Sequence, residues 1–313
     1  MISLKGLLLS GMTQYVKERL MGYLGMVHYD GHLPSKLNSS SKNSDSSGWL
    51  FKRLLDYYLF TKHDKRHFFS EKEMIFMQER LQTTLNTQWK YFKRDGLVIN
   101  REGETWMDSI PRAGARVEIQ ALNYCLLELM RLVTKDTRFL RMETRMASTF
   151  KERYFKNGYL WDGVDDNTLR PNIFIAGYAA QKLLTNEEWG VCINKALKGL
   201  WNPWGGFASI DKSHPNYHPH HTGEQPASYH NGDSWFFLNN LAGVVMHRIA
   251  PKRYAKHIKM LLEASTKEIL NLGCLGCHGE LSSSSQLTSQ GAWLQAWSCA
   301  TYLEFVEEVY KNA

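Results

Sequence analysis

Apolar residues recur at intervals of three and four through most of the 313-residue chain, and period-two alternation rich in Val, Ile and Thr is almost absent. Such a pattern buries apolar surface along helical stripes, so the expected fold class is all-α. About eleven helical stretches are legible, near 2–10, 12–27, 47–63, 70–93, 116–134, 137–155, 172–183, 186–199, 233–249, 252–271 and 289–310. Ser70 with Glu73 three residues on reads as a capping box, and Pro171 and Pro251 stand at or just before two further helix starts.

The helices are of two kinds, and the kinds take turns. "RVEIQALNYCLLELMRL" is apolar on nearly every face, whereas the following "TRFLRMETRMASTFKERYF" carries one apolar stripe and a charged remainder. The same contrast separates "GDSWFFLNNLAGVVMHRI" from "PKRYAKHIKMLLEASTKEIL". A helix apolar all round is enclosed, and one with a single stripe lies at the surface. Inner and outer helices in alternation describe an α/α toroid.

The links alternate too. The step at Thr134 to Thr137 is short, while residues 94–115, 156–171, 200–232 and 272–288 form long links, each running from an outer-type to an inner-type helix. That pattern puts four long loops at one end of the toroid, where function is expected. The serine-rich stretches 35–48 and 282–291 read as linkers by composition. Both lead into inner helices at the same end, so residues 1–313 are expected to form one domain.

Charge and composition narrow the function classes. A net charge of +7 would suit nucleic acid if it were gathered on one stripe. Instead Lys17, Arg19, Lys52, Arg53, Arg138, Arg141, Arg145, Lys252 and Arg253 are spread over many helices, so no nucleic-acid partner is expected. No run of eighteen apolar residues exists, and "MISLKGLLLSGM" lacks a basic leader and a small-residue cleavage site. Neither a membrane span nor a signal peptide is expected. Cys125, Cys192, Cys274, Cys277 and Cys299 make no disulfide framework, which fits a reducing cytoplasm. Fourteen Phe, fifteen Tyr and ten Trp serve either as extra core or as stacking platforms for flat ligand faces such as sugars.

Four loops hold residues with chemistry. "GETWMDSIPRAGARVE" contains Glu104, Trp106, Asp108 and Glu118; an aromatic ring beside a carboxylate suits a sugar, whose glycosidic oxygen the acid can protonate. "YLWDGVDDNTLRPN" offers Trp161, Asp162, Asp165 and Asp166 without the glycine and distal glutamate of a calcium loop, followed by Arg170 and Asn172. "HPNYHPHHTGEQPASYHNGDSW" carries His214, His218, His220 and His221 in a proline-broken run without the helical spacing of a zinc enzyme. It ends with Tyr229, His230, Asp233 and Trp235 at the start of an inner helix. In "GCLGCHGE", Cys274, Cys277 and His278 match the pattern of covalent haem attachment or half a zinc site. Haem attachment follows export, so no cofactor or metal is expected, and Glu280 becomes the residue of interest.

The strings "ETWMD", "PRAGARVEIQALNY", "YLWDGVDDNTLRPN", "ASYHNGDSWFFLNNLA" and "GCLGCHGELSSSSQLTSQGAWLQAWSCATYLE" cover most of the chain in order. Together they resemble the glucosidase domain of glycogen-debranching enzymes, the amylo-α-1,6-glucosidases. The resemblance implies an (α/α)6 toroid that hydrolyses α-1,6-linked glucose stubs at glycogen or starch branch points with inversion. It assigns Asp108 as general acid and Glu280 as the base that activates water, with the carboxyl groups roughly 6.5–9.5 Å apart to admit that water. It implies substrate contacts from Asp45, Trp49, Trp106, Glu118, Arg170, Asn172, Tyr229, His230, Asp233, Trp235, Gln295 and Trp297.

Family members carry an aromatic, glycine and Arg-Asp-Thr segment before the helix that matches "ISLKGLLL", where this chain begins with Met1. One outer helix and part of the glucose subsite are therefore expected to be missing, leaving apolar surface for a second copy to cover as a homo-oligomer. Two other readings stay open: an α-glucan-binding toroid that has lost turnover, and another toroid glycosidase of the glucoamylase or trehalase kind.

Overall fold

Both kinds of helix read from the sequence are present. The computed structural model describes residues 1–28, 31–34, 42–91, 93–94, 96–224 and 227–311, so the first half of the first serine-rich stretch, 35–41, lies outside the described residues. The chain divides into two units, Met1–Arg153 and Tyr154–Ala313. Eleven α-helices stand among the described residues, and the strands form five antiparallel pairs of two residues each. None of these helices is long and apolar enough to cross a membrane.

The first unit holds α1 (Leu4–Leu9), α2 (Thr13–Gly25), α3 (Ser44–Thr61), α4 (Glu71–Tyr91), α5 (Val117–Thr134) and α6 (Arg138–Tyr154). Enclosure of α5 is nearly complete, from Val117 through Leu127. It packs on α3 so closely that a Cβ at Gly48 would stand 2.5 Å from Leu122 Cβ. Asn43 caps α3 by accepting the Asp45 amide at 3.2 Å. The expected box at α4 is present: Ser70 N donates to Glu73 Oε2 at 2.7 Å and Glu73 N to Ser70 Oγ at 3.4 Å. Lys135, with φ 57°, ends α5 in the left-handed region and makes the short turn into α6. In α6 a single stripe is buried, comprising Phe139, Glu143, Phe150 and Tyr154.

The second unit holds α7 (Asn172–Ala179), α8 (Asn186–Gly199), α9 (Phe236–Ile249), α10 (Pro251–Asn271) and α11 (Ala296–Lys311). Every residue of α7 is buried, and α9, enclosed along most of its length, packs against α7, α10 and α11. At the α9–α11 crossing a Cβ on Gly243 would lie 2.2 Å from the Phe305 ring. By contrast α10 buries one stripe, Tyr254, Ile258, Leu261, Ser265 and Glu268. Burial of Ile258 and Leu261 contributes about 1.5–3 kcal/mol each.

Three helices depart from the expected bounds. Ala180 is extended, so α7 stops at Ala179 and a 3₁₀ turn at Gln181–Leu183 follows. Ser234 and Trp235 are withdrawn from α9 because they pair with Ser282 and Leu281. Likewise α11 begins at Ala296 rather than 289, since Gln290 exchanges backbone bonds with Leu281 and the Ala292 carbonyl takes the Glu280 amide. Expected as an inner helix, α11 buries one face only, with Ser298, Thr301, Glu304 and Phe305 covered and Leu303 and Tyr310 exposed. It packs chiefly on α9, with further contact to α10 and a hydrogen bond from Tyr178 of α7 to Glu304.

Candidate active site

In the first unit the start of α3, the loop after residue 100 and the first turn of α5 converge. Glu104, buried, binds α3 to that loop: its carbonyl accepts the Ser44 amide at 2.9 Å and its Oε2 accepts Ser44 Oγ at 3.0 Å and the Arg101 amide at 2.8 Å. Arg112 grips Glu118 with both guanidinium nitrogens, at 2.8 and 3.1 Å, and donates to Thr105 Oγ1 at 2.9 Å. Both partners of that fork are buried, so its bidentate geometry fixes loop to helix. Asp45, also buried, accepts the backbone N–H groups of Trp106 and Ser46. Burial pushes its carboxyl up to about 7; the charges of Glu118 and Asp108 add to the rise, and the two amide bonds oppose it. Asp108 is exposed beside this cluster, and Trp106 is buried in it. One helical turn beyond Asp45, Trp49 is buried with the Arg53 guanidinium 5.3 Å from its ring centre.

In the second unit the strand after α10 delivers Glu280, which is 6% exposed. Three donors set its carboxylate: Tyr229 Oη at 3.0 Å and Gln295 Nε2 at 3.2 Å on Oε1, and the Ala292 amide at 2.9 Å on Oε2. Gly291 lies against the same oxygen with φ 70°, and a Cβ there would come within 2.4 Å of Oε2. Glycine answers both the left-handed backbone and the close approach. Tyr229 joins the group to a cluster of aromatic rings. Tyr229 meets Trp235 edge-on at 4.8 Å, His230 stacks on Trp235 at 5.1 Å, and Trp297 stacks on Phe237 at 4.7 Å. Trp235 Nε1 donates to the Tyr229 carbonyl at 2.8 Å, which locks the two residues together.

The remaining expected contacts brace this cluster. Asp233 Oδ2 accepts Ser228 Oγ at 2.9 Å and faces His221 Nδ1 at 2.7 Å. Burial raises the Asp233 carboxyl above its ordinary range against these two bonds. Arg170 donates to the carbonyls of Ser209 and His230, at 3.0 and 2.6 Å, and to Asn231 Oδ1 at 3.1 Å. Asn172 donates to Asp162 Oδ1 at 2.7 Å. Tyr229, His230, Trp235, Glu280, Gln295 and Trp297 are thus brought together, Asp233 and Arg170 hold the loop that carries the first three, and Asn172 ties the start of α7 to Asp162.

The histidine-rich segment is dispersed. His220 Nδ1 meets Ser285 Oγ at 3.0 Å, and His214 Nδ1 accepts the Asn216 amide at 3.1 Å. Among the described residues no group of three or more His, Cys, Asp or Glu side chains is placed to hold a metal. Cys274 is exposed, and its thiol contacts that of half-buried Cys277. His278 is buried against Glu268 of α10, a residue the motif reading passed over. The signal was available: Glu268 stands on the apolar stripe of a surface helix, where a carboxylate needs partners.

A family model described as amylo-alpha-1,6-glucosidase matches residues 1–304. The chain belongs to that family. No curated protein sequence matches it significantly. Among solved structures it is similar to a GH63 mannosylglycerate hydrolase from Thermus thermophilus in complex with glucose, at 13% identity and a TM-score of 0.69, over 97% of this chain and 91% of that one. A glycosidase variant in complex with glucose is similar at 11% identity and a TM-score of 0.71, over 98% and 85%. An uncharacterized conserved protein from Thermus thermophilus is similar at 14% identity and a TM-score of 0.67, over 97% and 91%. At such identities the likeness is one of fold, and this amylo-alpha-1,6-glucosidase family member has the all-α, α/α-toroid fold that its helix alternation implied.

Proposed function

We propose that the chain releases glucose from α-1,6 branch stubs of glycogen or a starch-like glucan in the cytoplasm, by an inverting mechanism with two carboxylates. The observation that carries this reading is the setting of Glu280, a nearly enclosed carboxylate aimed by three neutral donors, one of them Tyr229, whose ring meets Trp235, within the stretch that the family model matches. Asp108 acts as general acid. Its proton passes to the glycosidic oxygen as the bond to the sugar C1 breaks, and the chain beyond the branch leaves as an alcohol. Glu280 accepts a proton from water as that water attacks C1 from the opposite face, so the configuration inverts. Asp45, Trp49, Trp106, Glu118, Arg170, Asn172, Tyr229, His230, Asp233, Trp235, Gln295 and Trp297 serve as contacts or supports for the glucose ring. The glucose bound in structures of the same fold supports a hexose ligand.

The test is glucose release from an oligosaccharide carrying a single α-1,6 glucose, with mannosylglycerate assayed in parallel. Turnover of the first substrate, lost in Asp108→Asn and in Glu280→Gln, is the expected result. Preferential turnover of mannosylglycerate would overturn the substrate assignment, and unimpaired turnover by either variant would overturn the assignment of roles.

A further inference from the structure

Glu268 is wholly buried on α10, and among the described residues its carboxylate bonds to the segments on either side of Glu280. Its two oxygens share the Gly279 amide at 3.2 Å each, Oε1 accepts Ser289 Oγ at 2.6 Å, and Oε2 faces His278 Nδ1 at 2.6 Å. Gly279 N and Ser289 Oγ donate, and His278 Nδ1 donates in the tautomer whose Nε2 accepts from Asn240 Nδ2. The contacts lead to Glu280 by separate routes. Gly279 precedes it in the chain. Ser289 opens the returning segment that supplies Gly291 and the Ala292 amide to Glu280 Oε2. The His278 carbonyl accepts the Gln295 amide at 2.9 Å, and Gln295 in turn donates to Glu280 Oε1. The fit is tight: a Cβ on Gly279 would stand 2.7 Å from Ser289 Oγ and 2.9 Å from Glu268 Oε1. The far ring nitrogen of His278 completes the anchor through Asn240 Nδ2 at 3.3 Å, and Asn240 Oδ1 accepts Ser265 Oγ at 2.8 Å from one turn earlier on α10.

We infer that Glu268 is a positioning residue: one buried carboxylate on a surface-facing helix clamps the backbone segments on both sides of Glu280 and so sets the direction of the base. The inference rests on Glu280 acting as the base. A glutamine at 268 keeps the size but turns one acceptor into a donor facing the Gly279 amide or His278 Nδ1. A misplacement of about 1 Å in a reacting group costs on the order of 10²-fold in rate. Glu268→Gln is therefore expected to lower kcat by about 10- to 100-fold with KM changed by less than about threefold. Glu263→Gln, on an exposed face of the same helix, is expected to match the unsubstituted chain.

Amide hydrogen exchange over residues 276–295 supplies a readout independent of turnover, and Glu268→Gln should quicken exchange there while leaving α7 and α9 unchanged. If that variant does not fold, Ser289→Ala decides, with faster exchange in the same segment and a smaller fall in kcat at constant KM. Unchanged exchange in a folded variant overturns the clamp. Faster exchange with unchanged kcat overturns its link to catalysis. Full activity in Glu280→Gln would instead mean that the base assignment has failed, while the exchange result would still judge the clamp.

Discussion

Asp45 shows how a single carboxyl reports its surroundings. Burial pushes it up to about 7 in the folded chain from its ordinary 3.8, so the folded state binds its proton more tightly. The resulting stabilisation is complete below about pH 3.8 and is lost as pH rises through about 7. Asp45→Asn removes that dependence, and its melting temperature should gain on that of the unsubstituted chain between pH 5 and 8; a constant difference would contradict the assignment. Arg112 and Glu118 make a second residue-scale case. Arg112→Met leaves a buried carboxylate without its charged partner and should cost about 3–5 kcal/mol in urea unfolding. A loss below about 1 kcal/mol would place the pair among solvent-screened ion pairs. The acidic residues of this loop were legible in the motif, but the fork was not. Spacing along an irregular loop does not fix where side chains point, so nothing in the sequence said that Arg112 takes both Glu118 oxygens.

At the scale of elements, the three-and-four spacing gave helices in nearly the expected places, and errors gathered where long-range pairing withdraws residues from a helix. Ser234–Trp235 and residues 289–292 have helix-compatible patterns, yet their backbone groups are engaged with the Glu280 strand. The same loop explains the cysteine motif: His278 is the buried anchor, and Cys274 lies exposed outside it. Packing gives a sharper test. Alanine is favoured over glycine in a helix by about 1 kcal/mol, but Gly243→Ala drives a methyl into Phe305. The substitution should destabilise by about 1–3 kcal/mol, and adding Phe305→Leu should recover part of the loss, as read from urea midpoints. A neutral or stabilising Gly243→Ala would show that α9 and α11 are less closely packed than described.

For the whole molecule, the fold class was legible because enclosed and one-striped helices alternate from α5 to α10, and backbone likeness to glycosidases at 11–13% identity agrees with it. Reaction type is less directly written, because carboxylates of one chemical kind serve here as a loop tie in Glu104, an ion-pair partner in Glu118, a clamp in Glu268 and a candidate base in Glu280. Only the stereochemistry of the product reports how the last of these is used. The decisive measurement is the anomer of glucose first released from an α-1,6-branched oligosaccharide, followed by proton NMR before mutarotation. β-Glucose is expected to appear first, and Asp108→Asn and Glu280→Gln each to slow its release by about 10²–10⁴-fold; α-glucose appearing first would contradict an inverting mechanism.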